Sequence, residues 1–310
     1  MSNSYCNQIT RITNEQSPPS FFVIGPPRTG TSWIHDVLSQ YTSLPNHIKE
    51  TRFFDLHFDL GMDWYLRYFS KPNDSSKPRG EVAPTYFAST QARERIARTC
   101  PGAKVICIFR HPVERALSLY RIKRAYGMVR CSFEDAVLFD PELLESGKYA
   151  TYLKSWYHTM GSAQVLATFY DQLRDRSQAY VDEIADFIGI RRFELSAAQR
   201  RLVHPSEGFT QPRNFMFTRI GVALANRLKA GHLDRIALAI RKSALGRTFL
   251  SGGDPFTPLS PIISRAVLDM FLPEVESLET MLNVDLSAWK SKEKEHKMSL
   301  IDYMTLHSCG

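Results

Sequence analysis

Cysteine is scarce in this 310-residue sequence: Cys6, Cys100, Cys107, Cys131 and Cys309 are the five present. The number is odd and no two are spaced as a zinc or redox pair, which excludes a disulfide framework and a cysteine-based metal finger. Cys100, Cys107 and Cys131 are expected to be buried as small apolar residues, in a reducing, cytoplasmic setting. Long apolar runs are also missing. Nothing approaches the roughly 18 consecutive residues of a membrane span. Residues 1–20 hold no apolar core of signal-peptide type, so no leader is expected. No His, Cys, Asp and Glu cluster has ligand spacing, and no metal is expected. An acidic excess is absent as well: 39 Lys and Arg face 32 Asp and Glu, a net charge of +7. That balance favours an anionic partner such as a nucleotide, a polyanion or a membrane surface. The remainder is ordinary, at 43 % hydrophobic and 23 % charged, which excludes disordered, collagen-like and coiled-coil chains.

Residues 1–20 are polar, end in Ser17-Pro18-Pro19-Ser20, and read as a loose lead-in. Phe21-Phe22-Val23-Ile24 follows, a continuous apolar run too short for a helix and suited to a strand buried on both faces. The spacing of Trp33, Ile34, Val37 and Leu38 predicts a helix from Thr31 to about Gln40. The alternation repeats. Strands are predicted at Glu81–Ala83, Lys104–Phe109 and Val165–Tyr170. Helices are predicted from Ser89 as cap through Thr99, from Pro112 to Ala125, from Gly147 to Met160 and from Gln178 to Ile188. Strands alternating with helices predict an α/β sandwich around a parallel sheet. A single domain is expected over 21–290, with a polar tail at 291–310.

Gly25-Pro26-Pro27-Arg28-Thr29-Gly30-Thr31-Ser32 joins the first strand to the first helix. Backbone N–H groups and the helix dipole converge on an anion at such a junction. The spacing resembles the Walker phosphate loop, yet Thr31 stands where that motif carries Lys. The basic residue is Arg28, inside the loop, which disfavours ATP or GTP hydrolysis. A second anion site is expected where Arg110 ends the 104–109 strand, with Ser118 two turns along the next helix.

Taken together these residues resemble the sulfotransferases that use 3′-phosphoadenosine 5′-phosphosulfate (PAPS). Pro27 to Trp33 is similar to that family's 5′-phosphosulfate loop, P-[KR]-[ST]-G-T-[ST]. Arg110 and Ser118, eight residues apart, resemble its 3′-phosphate motif. Lys49-Glu50-Thr51-Arg52-Phe53-Phe54 resembles the K-E-x-x-F-F segment of heparan-type carbohydrate sulfotransferases and related bacterial enzymes. Gly80 to Tyr86 and Phe271 to Glu279 fall in family order. The fold so implied is a P-loop-type three-layer α/β sandwich, with a central, mostly parallel sheet and helices on both faces.

The resemblance implies in-line transfer of a sulfuryl group from PAPS to an acceptor hydroxyl on a carbohydrate, glycolipid or small metabolite. Thr29, Gly30, Thr31 and Ser32 would hold the 5′-phosphosulfate, Arg28 would stabilise the leaving oxygen, and Arg110 and Ser118 would bind the 3′-phosphate. Glu50 is the candidate general base, with Phe53 and Phe54 as apolar walls and Lys49 beside it; His47 is the rival base. Glu81 and Tyr86 are expected at the acceptor cleft, and Tyr149, Tyr152, Trp156 and Tyr157 as core packing. A P-loop kinase with an eroded motif and a non-catalytic nucleotide or polyanion binder are the alternatives.

The excess charge is local. Between Arg213 and Arg247 lie eight basic residues and a single acid, Asp234, so the rest of the chain is formally neutral. Two basic amphipathic helices are read there, suited to contact with a polyanionic acceptor or an anionic membrane surface. No nucleic-acid motif accompanies them, and nucleic acid is not an expected partner.

Overall fold

The computed structural model describes residues 17–69, 76–200 and 254–290, with 210, 211, 215, 218–221 and 223. Most of the lead-in, the tail at 291–310 and most of the basic segment at 213–247 lie outside the described residues. In chain order the principal elements are β1 (Phe21–Val23), α1 (Thr31–Leu38), β2 (Gly80–Val82), α2 (Thr90–Thr99), β3 (Lys104–Phe109), α3 (Pro112–Ala125), α4 (Phe133–Phe139), α5 (Tyr149–Met160), β4 (Val165–Phe169), α6 (Tyr170–Asp175), α7 (Ser177–Ile188) and α8 (Pro261–Leu282). Each strand and helix expected between residues 21 and 190 is present, with ends shifted by a residue or two; the two basic helices expected within 213–247 fall mostly outside the described residues.

The described chain divides into two units, Met1–Arg110 with Tyr149–Leu202 and His111–Lys148 with Val203–Gly310. The first carries the sheet. Its four strands are parallel and run in the order β2-β1-β3-β4. Alternate residues of a strand face opposite sides, and here both sides are covered. Phe21 and Val23 of β1 and Ile106 and Ile108 of β3 pack on α1, α6 and α7 through Ile34, Leu38, Leu173 and Ile184. On the other side Phe22 meets Phe54 edge-on at 5.4 Å, and Phe109 meets Tyr149 of α5 at 4.9 Å and Phe87 at 5.9 Å. Burial on both faces is why β1 and β3 are continuous apolar runs. Ser89 caps α2, its hydroxyl accepting from the Ala92 amide at 3.1 Å. Tyr149 and Trp156 are wholly buried, with the Trp156 indole N–H on the Phe87 carbonyl at 2.9 Å, so both serve as core.

In the second unit Lys123 of α3 bridges Asp140 and Glu142, each at 2.6 Å. Arg115, also on α3, is buried and donates to the Leu143 carbonyl. The ring of Phe271 on α8 fills the space beside Gly147, where an added Cβ would lie 2.3 Å from it. Cys100 and Cys107 are buried as expected, but Cys131 is exposed. It immediately precedes the α4 cap Ser132, and its carbonyl accepts from Tyr120 at 3.0 Å and Arg124 at 2.7 Å.

Candidate active site

β1 has β2 on one side and β3 on the other, so the chain reverses its direction of winding at the carboxyl end of β1. That crevice is where open parallel sheets bind ligands, and the Gly25–Gly30 loop occupies it. Gly25 is required by contact: a Cβ there would stand 2.6 Å from the backbone nitrogen of Ile108. Arg28 and Gly30 both take positive φ, 77° and 93°, so the loop curls back on itself. The Thr29 side chain is buried and donates to the Pro26 carbonyl at 2.8 Å, closing the curl from within. Gly30 then starts α1 without a side-chain cap. The first-turn amides of Thr31, Ser32 and Trp33 are those for which helix geometry provides no intrahelical acceptor. A tight, positively curled loop feeding an uncapped helix is a cradle for an oxyanion.

Arg110 closes the loop's outer side. Its guanidinium donates to the Arg28 carbonyl at 3.4 Å and lies 4.6 Å from the Tyr170 ring centre, and its own carbonyl accepts from Tyr149 at 2.8 Å. The loop after β1 and the end of β3 are thereby tied together. Ser118, expected to act with Arg110, is buried on α3 in the second unit.

Lys49 and Glu50 reach the same loop from a different part of the first unit. Lys49 Nζ donates to Thr31 Oγ1 at 3.3 Å and Ser32 Oγ at 3.5 Å, and lies 3.2 Å from Glu50 Oε1. Burial lowers the Lys49 pKa from its ordinary value, opposed by Glu50 and reinforced by the charge of Arg28. Arg28, Thr31, Ser32, Lys49 and Glu50 thus form one constellation: two cations and a carboxylate around a helix N-terminus. His47, the rival base, is exposed and sits at φ 65°.

The segment after Glu50 differs from expectation. Phe53 and Phe54 do not wall a cleft; both are fully buried, Phe53 stacked on Tyr65 at 4.6 Å and Phe54 edge-on to Tyr86 at 5.8 Å. A left-handed turn at Arg52, φ 57°, sets their course inward, and the amides of Leu56 and His57 both return to its carbonyl. Arg95 of α2 holds the far end through the Phe54 carbonyl at 2.8 Å. Glu81 and Tyr86 do not line a cleft either; both have no exposed surface. Glu81 instead accepts four hydrogen bonds, from the Thr51 amide at 2.7 Å, the Thr51 hydroxyl at 2.8 Å, Tyr65 at 2.9 Å and Tyr86 at 3.1 Å. Burial raises its carboxyl pKa to about 7 against the pull of these donors. The one hint in the sequence is a charged residue amid Gly80-Glu81-Val82-Ala83, where a strand buried on both faces should carry none.

Comparison with known proteins agrees with this geometry. Residues 18–207 match the sulfotransferase domain family. A bifunctional heparan sulfate N-deacetylase/N-sulfotransferase 2 from Bos taurus is 32 % identical over 197 residues, and one numbered 4 from Mus musculus is 30 % identical over 213. The matches take in 56 % and 62 % of this chain but span only 22 % and 24 % of those relatives' lengths. The crystal structure of a sulfotransferase from Alicyclobacillus acidocaldarius superposes over 89 % of this chain and 100 % of its own, with a TM-score of 0.62 at 20 % identity, a likeness of fold. With more than half its length inside that family's domain, and the parallel sheet and phosphate loop to match, the chain belongs to the sulfotransferases.

Proposed function

We propose that the protein transfers a sulfuryl group from PAPS to an acceptor hydroxyl, with Glu50 as general base. The observation that carries this reading is the meeting of Arg28, Lys49 and Glu50 at the uncapped start of α1. Three features support this donor: positive φ at Arg28 and Gly30, an uncapped start to α1, and Gly25, which lets the loop lie directly against β3. Bound there, PAPS supplies the sulfuryl group and departs as adenosine 3′,5′-bisphosphate. The amides from Thr29 to Ser32 hold the 5′ anion, and Arg28 stabilises negative charge as it grows on the leaving oxygen. Arg110, with Ser118 as the sequence motif implies, binds the 3′-phosphate through charge-assisted hydrogen bonds.

Glu50 takes the acceptor proton. In the structure its Oε1 is paired with Lys49 at 3.2 Å, which holds the carboxylate in place. An anion in the cradle competes for Lys49, already directed at Thr31 and Ser32, and so releases Glu50 where the acceptor must approach. Sulfuryl transfer, like phosphoryl transfer, needs positioning and charge stabilisation more than covalent help.

Two measurements test this. Adenosine 3′,5′-bisphosphate at a hundredfold excess over its Kd should stabilise the fold by about 2.7 kcal/mol; stabilisation by Mg-ATP alone would overturn the donor assignment in favour of a kinase. Glu50→Gln should lower transfer from labelled PAPS by about 10²- to 10⁴-fold with bisphosphate binding unchanged. Full activity in that variant removes Glu50 as the base. A second reading of the acceptor has one specific support: the relatives' names specify N-sulfotransfer. N-desulfated heparan sulfate offers amines and hydroxyls, whereas N-acetylheparosan offers hydroxyls alone. Transfer to the first only would move the acceptor from hydroxyl to amine.

A further inference from the structure

We infer that Glu81 is the positioning residue for Glu50, acting through Thr51. The inference rests on the reading of Glu50 as base. Glu81 lies mid-strand in β2, paired in register with Phe22 of β1, so it is fixed by the sheet rather than by a loop. One carboxyl oxygen takes both the amide and the hydroxyl of Thr51, at 2.7 and 2.8 Å; the other takes Tyr65 and Tyr86, at 2.9 and 3.1 Å. The hold extends along the chain. The Thr51 hydroxyl accepts from the Phe53 amide at 3.1 Å, and Tyr86 accepts from the Phe54 amide at 3.3 Å. A buried carboxylate and one tyrosine therefore organise the backbone from Thr51 to Phe54, including the left-handed turn at Arg52. That turn is uncommon for a residue with a side chain and persists only when its surroundings over-determine it.

Glu50 is the residue immediately before this anchor. Its backbone enters at Thr51, and its side chain emerges 3.2 Å from Lys49 at the rim of the phosphate loop. A catalytic carboxylate on an unanchored loop would wander by an ångström or more, which is enough to cost a large part of the rate. A stabilising role alone does not account for the choice of residue, because an apolar side chain among Phe22, Phe54 and Tyr65 avoids the desolvation of an acid. A carboxylate does what an apolar side chain cannot: it accepts the two donors of Thr51 at once.

A mutant cycle tests the inference, read as transfer from labelled PAPS to N-desulfated heparan sulfate. Thr51→Val should lower kcat about tenfold with the donor KM within twofold, and Thr51→Ser should restore it. The loss should vanish in the Glu50→Gln background, since Thr51 acts through Glu50. An equal loss in that background overturns the positioning role and leaves the base assignment standing; a fully active Glu50→Gln overturns the base assignment and this inference with it. Glu81→Leu, which can accept nothing from Thr51, should lower kcat about tenfold as Thr51→Val does, and Glu81→Gln, whose amide oxygen still accepts, should recover most of that loss; an unchanged kcat in Glu81→Leu overturns the inference. Tyr65→Phe gives an arm independent of the acceptor. Amide exchange at Thr51 and Phe53 should quicken about tenfold while the thermal shift with adenosine 3′,5′-bisphosphate is unchanged; unaltered exchange overturns the inference.

Discussion

At the scale of single residues, the site's charges are set by burial as much as by neighbours. Lys49 and Glu81 show opposite shifts from one cause: desolvation disfavours the charged form, lowering a lysine's pKa and raising a carboxyl's. For Glu81 this has a consequence for stability. Its folded pKa, about 7, lies above the ordinary 4.5, so the folded state holds a proton that the unfolded state has released. The resulting stabilisation is complete below about pH 4.5 and is lost as the pH rises through 7, by on the order of 3 kcal/mol. Glu81→Gln cannot titrate. The stability difference between parent and variant, from urea unfolding at pH 5 and pH 8, should therefore shift toward the variant at the higher pH. A difference independent of pH would mean that the carboxyl titrates far from neutrality. Arg28 is distinct: it is a side-chain-bearing residue at φ 77°, and Arg28→Gly should relieve backbone strain while removing the cation. Transfer is expected to fall about 10²- to 10³-fold without loss of melting temperature.

At the scale of elements, close approach decides which glycines matter. Gly25 and Gly80 both lack room for a Cβ, but they meet different things: Gly25 the backbone of Ile108 in β3, at 2.6 Å, and Gly80 the ring of Phe21, at 2.1 Å. Gly25→Ala and Gly80→Ala should each cost about 1–3 kcal/mol. Only Gly25→Ala moves the phosphate loop off β3, so it alone should abolish the thermal shift with adenosine 3′,5′-bisphosphate. The reading of the sequence succeeded where local pattern and burial agree. β3 is a run of apolar residues with a helix start at Pro112, and Ser89 is a capping residue in capping position. It failed where a tertiary partner decides. Nothing local in Arg52 announces a left-handed turn, and without that turn Phe53 and Phe54 read as walls of a cleft rather than core. Glu81 reads as a residue of the acceptor cleft until Tyr65, Tyr86 and Thr51, up to 30 positions away, are brought around it. The phosphate loop was legible because its chemistry is backbone chemistry, written in Gly25, Gly30 and their spacing. Lys49 and Glu50 were legible only as a resemblance, since no spacing rule places residue 49 against residues 31 and 32.

At the scale of the whole molecule, the excess charge lies apart in sequence from the proposed donor cradle. The proposed donor cradle takes Arg28, Lys49 and Arg110, all in the first unit. The net charge of +7 comes from elsewhere: between residues 213 and 247 there are eight basic side chains and only Asp234 to oppose them. A cluster of one sign raises the local concentration of a polyanion and speeds its association, an effect that salt screens over about 8–10 Å. Neutralising Arg227, Lys229, Arg241 and Lys242 together changes none of the proposed cradle residues. It should therefore raise the KM for N-desulfated heparan sulfate about tenfold at low salt, flatten its salt dependence, and leave kcat and the bisphosphate thermal shift as they were. If the acceptor is instead reached at a membrane, the same variant should lose binding to vesicles containing phosphatidylserine while its KM for the polysaccharide stays unchanged. A variant that alters neither would show that this charge serves no part of acceptor recognition, and the search for the acceptor site would return to the surroundings of Glu50.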